Sequence, residues 1–450
     1  MIKFSLSEAS TQLNARLHGD DAAFTGISID TRSLQAGNLF FAVKGEHLDG
    51  HDFVQQAIDA GAAGLVVERV MDVACPQIIV DDALKAMGLL SKHWRMQFDF
   101  PVICLTGSNG KTTTKDLIAS MLTAAFGADQ VFATQGNFNN FYGVPLMLAQ
   151  LGPQHRVAVI EIGMNLPGEI EYLVNLVQPD VAMITNVGVS HLAGVGHSID
   201  GVAKEKVCIY HGLKEQGIAI INTDDDYADM FREHCKQHSQ LTVGLRDGMV
   251  HADNIQLHPD HTCFTLMAPA GQCDINAPLM GLHNVRNALM AATACLAIGS
   301  DLAAIQQGLM NASITPGRLE RKAGRNGAVI INDAYNANPL SLNAAITVLA
   351  VQPGRKILVL GDMGELGKDE VAFHQQAGET MRQAGIDDLL TLGTLTAHTA
   401  KVFGDKAKHF TDQATLIEAV LPLCQPDTTI LIKGSCSMKM GNVVKACVTA

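Results

Sequence analysis

A paired C-x-x-C motif is missing from this 450-residue sequence, although it holds ten cysteines. That absence argues against a thiol redox motif or a cysteine-rich zinc site. Cys104, Cys208 and Cys295 stand inside apolar runs, as small core residues do, and point to a reducing cytoplasm. Basic residues are also short: 32 Lys and Arg face 45 Asp and Glu, a formal net charge of −13. A general phosphate-backbone binder is therefore excluded, and no nucleic-acid partner is expected. The most span-like run, 288–298, is shorter than the roughly 20 residues a membrane helix needs. Lys3 and Glu8 interrupt the N-terminus, so neither an export signal nor an anchor is expected there. What is present is 47% apolar residues with only 17% charged, the composition of a globular α/β chain rather than a disordered or fibrous one. The length suggests about three domains.

The pattern agrees. From residue 24 to 97, short β-rich runs (FTGISID, NLFFAVKG, AGLVVE, QIIV) alternate with helical stretches from Asp52 and from Asp82 to Trp94. After QFDFP the rhythm restarts with the buried-strand run 102–106, a Gly-rich turn and a helix over 112–125. Further strands are predicted at 157–162, 181–186 and 218–222, the βαβ order of a mostly parallel sheet. SITPG at 313–317 breaks the helical pattern, and AVIIND, KILVLGD, LLTLG and TILIKGS then alternate with helices in a unit that reads as doubly wound. The predicted division is 1–98, 99–313 and 314–450.

The sharpest local signal is Thr106-Gly107-Ser108-Asn109-Gly110-Lys111-Thr112-Thr113, between an apolar strand and a helix. Backbone N–H groups of such a turn and the helix start form an anion cradle, where Lys111 reaches terminal phosphates and Thr112 a magnesium ion. Leu105 stands where the full P-loop pattern has its first Gly, so this is a shortened variant.

Three other side chains are out of keeping with their surroundings. Glu161 puts one carboxylate at the C-terminal end of an apolar strand, where parallel sheets hold ligands, and is a metal-ligand candidate; the alternative is a strand-end Glu turned to solvent. His191 follows the strand at 181–186 through a turn and is a second candidate, with Asn186 nearby. On a helical wheel Lys206 lies at the centre of an apolar face with Ile199, Val202, Ala203, Val207 and Tyr210, while Lys204 points away. A cation there must be paired, modified or snorkelled to water. His47/His51 and His234/His238 have i, i+4 spacing but lack a completing ligand and read as surface histidines; Asp224, Asp225 and Asp226 read as a solvated turn, the alternative being a place close to the nucleotide, since they follow a strand end.

Taken together, TGSNGKTTTK at 106–115, GNFNNFYGVP at 136–145, EIGMN at 161–165, TNVGVSHL at 185–192, GLHNVRNALMAA at 281–292, PGRLE at 316–320, NDAYNANPLS at 332–341 and LGDMGELG at 360–367 resemble the Mur ligases across nearly the whole chain. YNANP is most similar to the branch that adds D-alanyl-D-alanine rather than a single amino acid. Asn332 and Cys436 depart from the family pattern, which usually has an acidic residue and an Arg there.

The resemblance implies an α/β chain of three domains: a small domain holding a UDP-sugar substrate, a central P-loop ATPase domain and a C-terminal Rossmann-like domain. It implies an ATP-dependent amide ligase of peptidoglycan-precursor synthesis, a cytoplasmic monomer that takes UDP-N-acetylmuramoyl-tripeptide and D-Ala-D-Ala through an acyl phosphate. By the same resemblance, Gly107, Ser108, Asn109, Gly110, Lys111, Thr112 and Thr113 hold the ATP phosphates, Asn284 and Asn287 lie near adenine, and Arg318 and Asp333 meet the nucleotide. Magnesium is assigned to Thr112, Glu161, His191 and Lys206, the last as a carbamylated lysine. Ser28, Asp30, Thr31 and Arg32 are assigned to the UDP-sugar, and Asn137, Asn139, Asn336 and Asn338 to the peptide side. The alternatives are a sister Mur ligase, a folylpolyglutamate synthetase-like ligase and, from other classes, a P-loop kinase or nucleotide-gated binding module.

Overall fold

The computed structural model describes residues 1–189 and 198–449. His191 lies outside the described residues, as does most of the stretch leading to the helix that carries Lys206.

The central sheet has six strands, all parallel, in the order Ser239–Val243, Ile218–Asn222, Val181–Ile184, Val102–Thr106, Val157–Glu161, Val131–Ala133. Its middle strands are buried on both faces, which is why they read as unbroken apolar runs. Alternation with a period of two divides each between two cores. Ile103 and Leu105 pack with Leu117, Ile118 and Met121 of the helix Lys111–Phe126 and with the helix Leu282–Ala297. Val102 and Cys104 pack on the opposite face with Leu173, Val174, Val202, Val207 and Tyr210. The chain begins this unit in the middle of the sheet and lays later strands on both sides, so the turn after Thr106 sits at a topological switch point.

The first core continues without a break into the N-terminal unit through Trp94, Leu90 and Phe24. Leu151 O joins the two: it accepts hydrogen bonds from the Met1 ammonium (2.8 Å) and from Trp94 Nε1 (2.9 Å). Five strands form that unit's main sheet, in the order Arg16–His18, Gln77–Ile79, Gly64–Val67, Leu39–Phe41, Ile27–Ser28. The third unit carries six strands ordered Glu320–Ala323, Val329–Asp333, Thr428–Lys433, Arg355–Gly361, Asp388–Leu392, Ala407–Phe410, parallel except for the first pair. Two antiparallel sheets were absent from the sequence reading, the short pair Lys3–Ser5 with Ala23–Thr25 and the meander His251–Leu257, Thr262–Ala268, Gly271–Ala277. Only part of one face of the meander is buried, and its mixed polar runs give no strong alternation. No helix among the described residues is long and apolar enough to cross a membrane.

Candidate active site

The turn after Thr106 is held from below. Asn186 Oδ1 accepts from the Asn109 N–H (3.0 Å) and its Nδ2 donates to the Asn109 carbonyl (2.9 Å), which Thr185 Oγ1 also reaches at 2.6 Å. The amide of Asn186 is thus spent on bracing the loop rather than standing free beside a metal. Gly107 passes so close to Thr185 that a Cβ would lie 1.8 Å from its Oγ1. Gly110 has φ +80° and packs on Asn287, whose Oδ1 would be 2.5 Å from a Cβ. Both positions need glycine, one for close approach and one for conformation as well. Asn287 Nδ2 in turn donates to Asn284 Oδ1 (3.0 Å), so the two asparagines assigned to adenine form one buried pair.

Lys111 opens the helix Lys111–Phe126 and turns its Nζ back onto the Gly107 carbonyl at 2.6 Å. Burial lowers its pKa, the Glu161 carboxylate raises it, and Arg318 lowers it again. Glu161 is 1% exposed, which removes the solvent-facing reading. Its Oε1 accepts from Asn139 Nδ2 (2.8 Å) and lies 3.4 Å from Thr112 Oγ1, while its Oε2 is buried with no partner among the described residues. Lys206 is 2% exposed and sits among Val202, Ala203, Val207 and Tyr210, the face that the helical wheel predicts, although Ile199 at the helix start is exposed. No hydrogen bond or ion pair reaches its ammonium from the described residues. Burial, and then the Lys111 cation, push its pKa well below the ordinary lysine value.

The third unit supplies the opposite wall. Arg318 stacks on Tyr335, 4.2 Å from the ring centre, and donates to Thr112 Oγ1 at 3.0 Å. Asn338 caps the helix Pro339–Ala350 and extends its Nδ2 to Asn109 Oδ1 at 2.8 Å. Asp333 Oδ1 accepts from the Leu319 N–H, and its Oδ2 receives Lys433 Nζ at 2.6 Å; Lys433 also donates to the Asn336 carbonyl. Burial pushes the Asp333 carboxyl up and Lys433 pulls it down. Removing one partner of such a pair strands the other charge, so Asp333→Ala is expected to cost about 3–5 kcal/mol. Urea denaturation checks this, and an Asp333→Leu, Lys433→Leu double variant should recover much of the loss. If the double variant were no more stable than Asp333→Ala, a stranded charge would not be the cause.

Most of these residues line one cleft of about 570 Å³, which includes Ser108 to Thr113, Asn137, Asn139, Glu161, Asn284, Asn287, Arg318, Asp333, Asn336, Asn338, Lys433 and Cys436. Three family descriptions match the chain: "Mur ligase family, catalytic domain" over residues 23–94, "Mur ligase middle domain" over 105–295 and "Mur ligase, glutamate ligase domain" over 317–436. The UDP-N-acetylmuramoyl-tripeptide–D-alanyl-D-alanine ligase of Escherichia coli (strain K12) is 40% identical over 452 residues, 99% of this chain and 98% of that one. The chain belongs to the Mur ligase family. A relative of the same name from Bacillus subtilis (strain 168) is 38% identical, covering 93% of this chain and 92% of its own. Among solved structures, MurF from Acinetobacter baumannii superposes with a TM-score of 0.94 at 35% identity, covering 99% and 98% of the two chains. MurF ligase from Thermotoga maritima, in complex with ADP, gives 0.84 at 25% identity over 94% and 96%.

Not every residue assigned by resemblance to the Mur ligases lies in the cleft. Gly107 and Lys206 are not among its lining residues, and Ser28, Asp30, Thr31 and Arg32 belong to the N-terminal unit and do not line it; Asp30 pairs with Arg32 at 2.7 Å, and Thr31 contacts Gln56. The departure at Asn332 is accounted for locally: it lies opposite Glu320 on the antiparallel strand pair and donates to its Oε2 at 2.8 Å, where an acidic residue would repel. His51 corrects the surface reading of its pair. It is buried, with Nδ1 2.6 Å from Asp49 Oδ1 and Nε2 accepting from the Glu68 N–H. Sequence reasoning also missed His283 and Arg286 in the cleft. Burial and nearby cations push His283 down to about 4, and Asp224, read as a solvated turn residue, holds Arg286 at 2.9 Å.

Proposed function

We propose that the chain is an ATP-dependent ligase that joins D-alanyl-D-alanine to UDP-N-acetylmuramoyl-tripeptide in peptidoglycan-precursor synthesis, working as a cytoplasmic monomer. The observation that carries this reading is the meeting of three parts in one cleft, in a chain matched end to end by relatives of that name. The parts are a phosphate loop, a buried carboxylate with one oxygen unpartnered among the described residues, and a guanidinium from a separate unit. In this reading residues 1–98 hold the UDP-sugar through Ser28, Asp30, Thr31 and Arg32. Residues 99–313 hold ATP, with Asn284 and Asn287 toward adenine and Asn137 and Asn139 toward the peptide. Residues 314–450 bring Arg318 and Asp333 to the nucleotide and Asn336 and Asn338 to the substrate.

The tripeptide carboxylate attacks the γ-phosphorus, the bond to the ADP oxygen breaks, and an acyl phosphate forms. The amine of D-Ala-D-Ala then attacks the acyl carbon, loses a proton and expels inorganic phosphate. Lys111 leaves the Gly107 carbonyl for the phosphates, and with Arg318 it neutralises charge on the group in transfer. The backbone cradle fixed by Asn186 orients those phosphates, and apposition of the third unit keeps water from the acyl phosphate. Glu161, whose Oε1 lies beside Thr112 and whose Oε2 has no partner among the described residues, fits magnesium; its holders would be Thr112, Glu161, His191 and a carbamylated Lys206, and it would supply charge neutralisation.

Phosphate release with ATP and UDP-N-acetylmuramoyl-tripeptide is expected to depend on D-Ala-D-Ala and to yield an amide product by mass spectrometry. Release driven instead by a single amino acid or by glutamate would move the chain to a sister ligase. Release without an amide product would make it a kinase or a gated nucleotide binder.

A further inference from the structure

The antiparallel meander turns at His258-Pro259-Asp260-His261, between the strands His251–Leu257 and Thr262–Ala268. The His258 N–H donates to the His261 carbonyl at 3.0 Å, closing the loop. Thr262 is buried and donates to the Leu279 carbonyl, so the residues on either side of it, His261 and Cys263, share the opposite face of the strand. His258 folds over them, its ring stacked on His261 with centroids 4.2 Å apart and planes 9° apart. One ligand atom from each of His258, His261 and Cys263 falls within 4.8 Å of the others, and all three residues are half-buried. Asp260 Oδ1 lies 2.7 Å from His261 Nδ1. A carboxylate on one ring nitrogen fixes the tautomer and leaves Nε2 as a lone-pair donor, the usual support of a metal-bound histidine.

We propose that His258, His261 and Cys263 form a binding site for a thiophilic divalent ion of the zinc class, with Asp260 as the positioning residue behind His261. Two imidazoles and a thiolate suit a borderline-soft cation and disfavour magnesium, which takes oxygen ligands. Ligand distances of about 2.0–2.3 Å require donor atoms roughly 3.3–3.7 Å apart in a tetrahedron, so on binding the three side chains close by up to roughly an ångström and the two stacked rings turn apart until both nitrogen lone pairs meet the ion. The fourth position is left to water. The site is separate from the nucleotide cleft and does not depend on the ligase reading. It does touch the joint between units: Gln352 Nε2, just past the helix Pro339–Ala350 of the third unit, donates to the Pro259 carbonyl at 2.8 Å, between the two histidines. A bound ion would fix the conformation of that loop.

Cobalt(II) titration of the full-length reduced chain, stripped of metal by chelator and dialysis, tests the proposal. One equivalent is expected to produce a thiolate-to-cobalt charge-transfer band that zinc abolishes. Cys263→Ser should lose the band, while Cys208→Ser, which alters the more exposed Glu171, Cys208, His211 group, should keep it. Asp260→Asn should weaken zinc binding about 10- to 100-fold. In the unaltered chain, zinc should protect Cys263 from alkylation by iodoacetamide, read by mass spectrometry, which needs no variant to fold. The proposal is overturned if no charge-transfer band forms at one equivalent, if the band survives in Cys263→Ser, or if zinc leaves Cys263 alkylation unchanged.

Discussion

Replacing Lys111 with alanine lowers turnover about 10²- to 10³-fold or more, the scale of losing one preorganised electrostatic group at a transferring centre. The fold should tolerate the change. Lys111 is half-buried, its Nζ bonds among the described residues to the Gly107 carbonyl, and it stands between the attraction of the Glu161 carboxylate and the opposition of Arg318. Removing it loses that hydrogen bond and the attraction to Glu161 but relieves the opposition of Arg318, so the melting temperature should shift little while single-turnover phosphoryl transfer collapses. Retention of more than about a tenth of wild-type turnover would mean that Arg318 and the loop amides carry the phosphate charge without Lys111.

Lys206 gives the second large effect. A buried ammonium without a partner among the described residues, lowered further by Lys111, favours the neutral amine, the form that reacts with carbon dioxide. The carbamate would present two oxygens to magnesium, where an ammonium would repel it. Lys206→Arg keeps the positive charge and should be nearly inactive. Lys206→Ala should also be inactive but partly recovered by acetate, which fits the vacated space and restores a carboxylate. Activity in Lys206→Arg, or no acetate recovery in a folded Lys206→Ala protein, would return Lys206 to a snorkelling or paired lysine.

The sequence was most readable where burial is two-sided. Val102–Thr106, Val157–Glu161, Val181–Ile184 and Ile218–Asn222 need apolar residues at every position, and their ends fall within two residues of the pattern's. Lys206 was equally legible, because a charge on an apolar stripe is visible on a wheel. The meander was not, since a partly buried sheet imposes little pattern. Nor could the roles of the asparagines be read: Asn186 as a brace, Asn338 as a cap that crosses to Asn109, and Asn332 as a partner of Glu320 all depend on which strand or loop lies opposite. His51 escaped for the same reason, since Asp49 is near in sequence but the Glu68 N–H comes from a later strand end.

The helix Leu302–Met310 lies across the helix Lys111–Phe126 so closely that a Cβ on Gly308 would be 2.3 Å from the Met121 backbone, and Ser120 Oγ donates to the Gly308 carbonyl at 2.7 Å. The phosphate-loop helix therefore cannot finish its packing until the ribosome has made a segment roughly 180 residues further on, a delay on the order of ten to forty seconds at ordinary elongation rates. During that interval its apolar face is open on the nascent chain. Translation speed between these two helices, and any chaperone that shelters the first of them, thus bears directly on how much of the newly made protein reaches an intact nucleotide site.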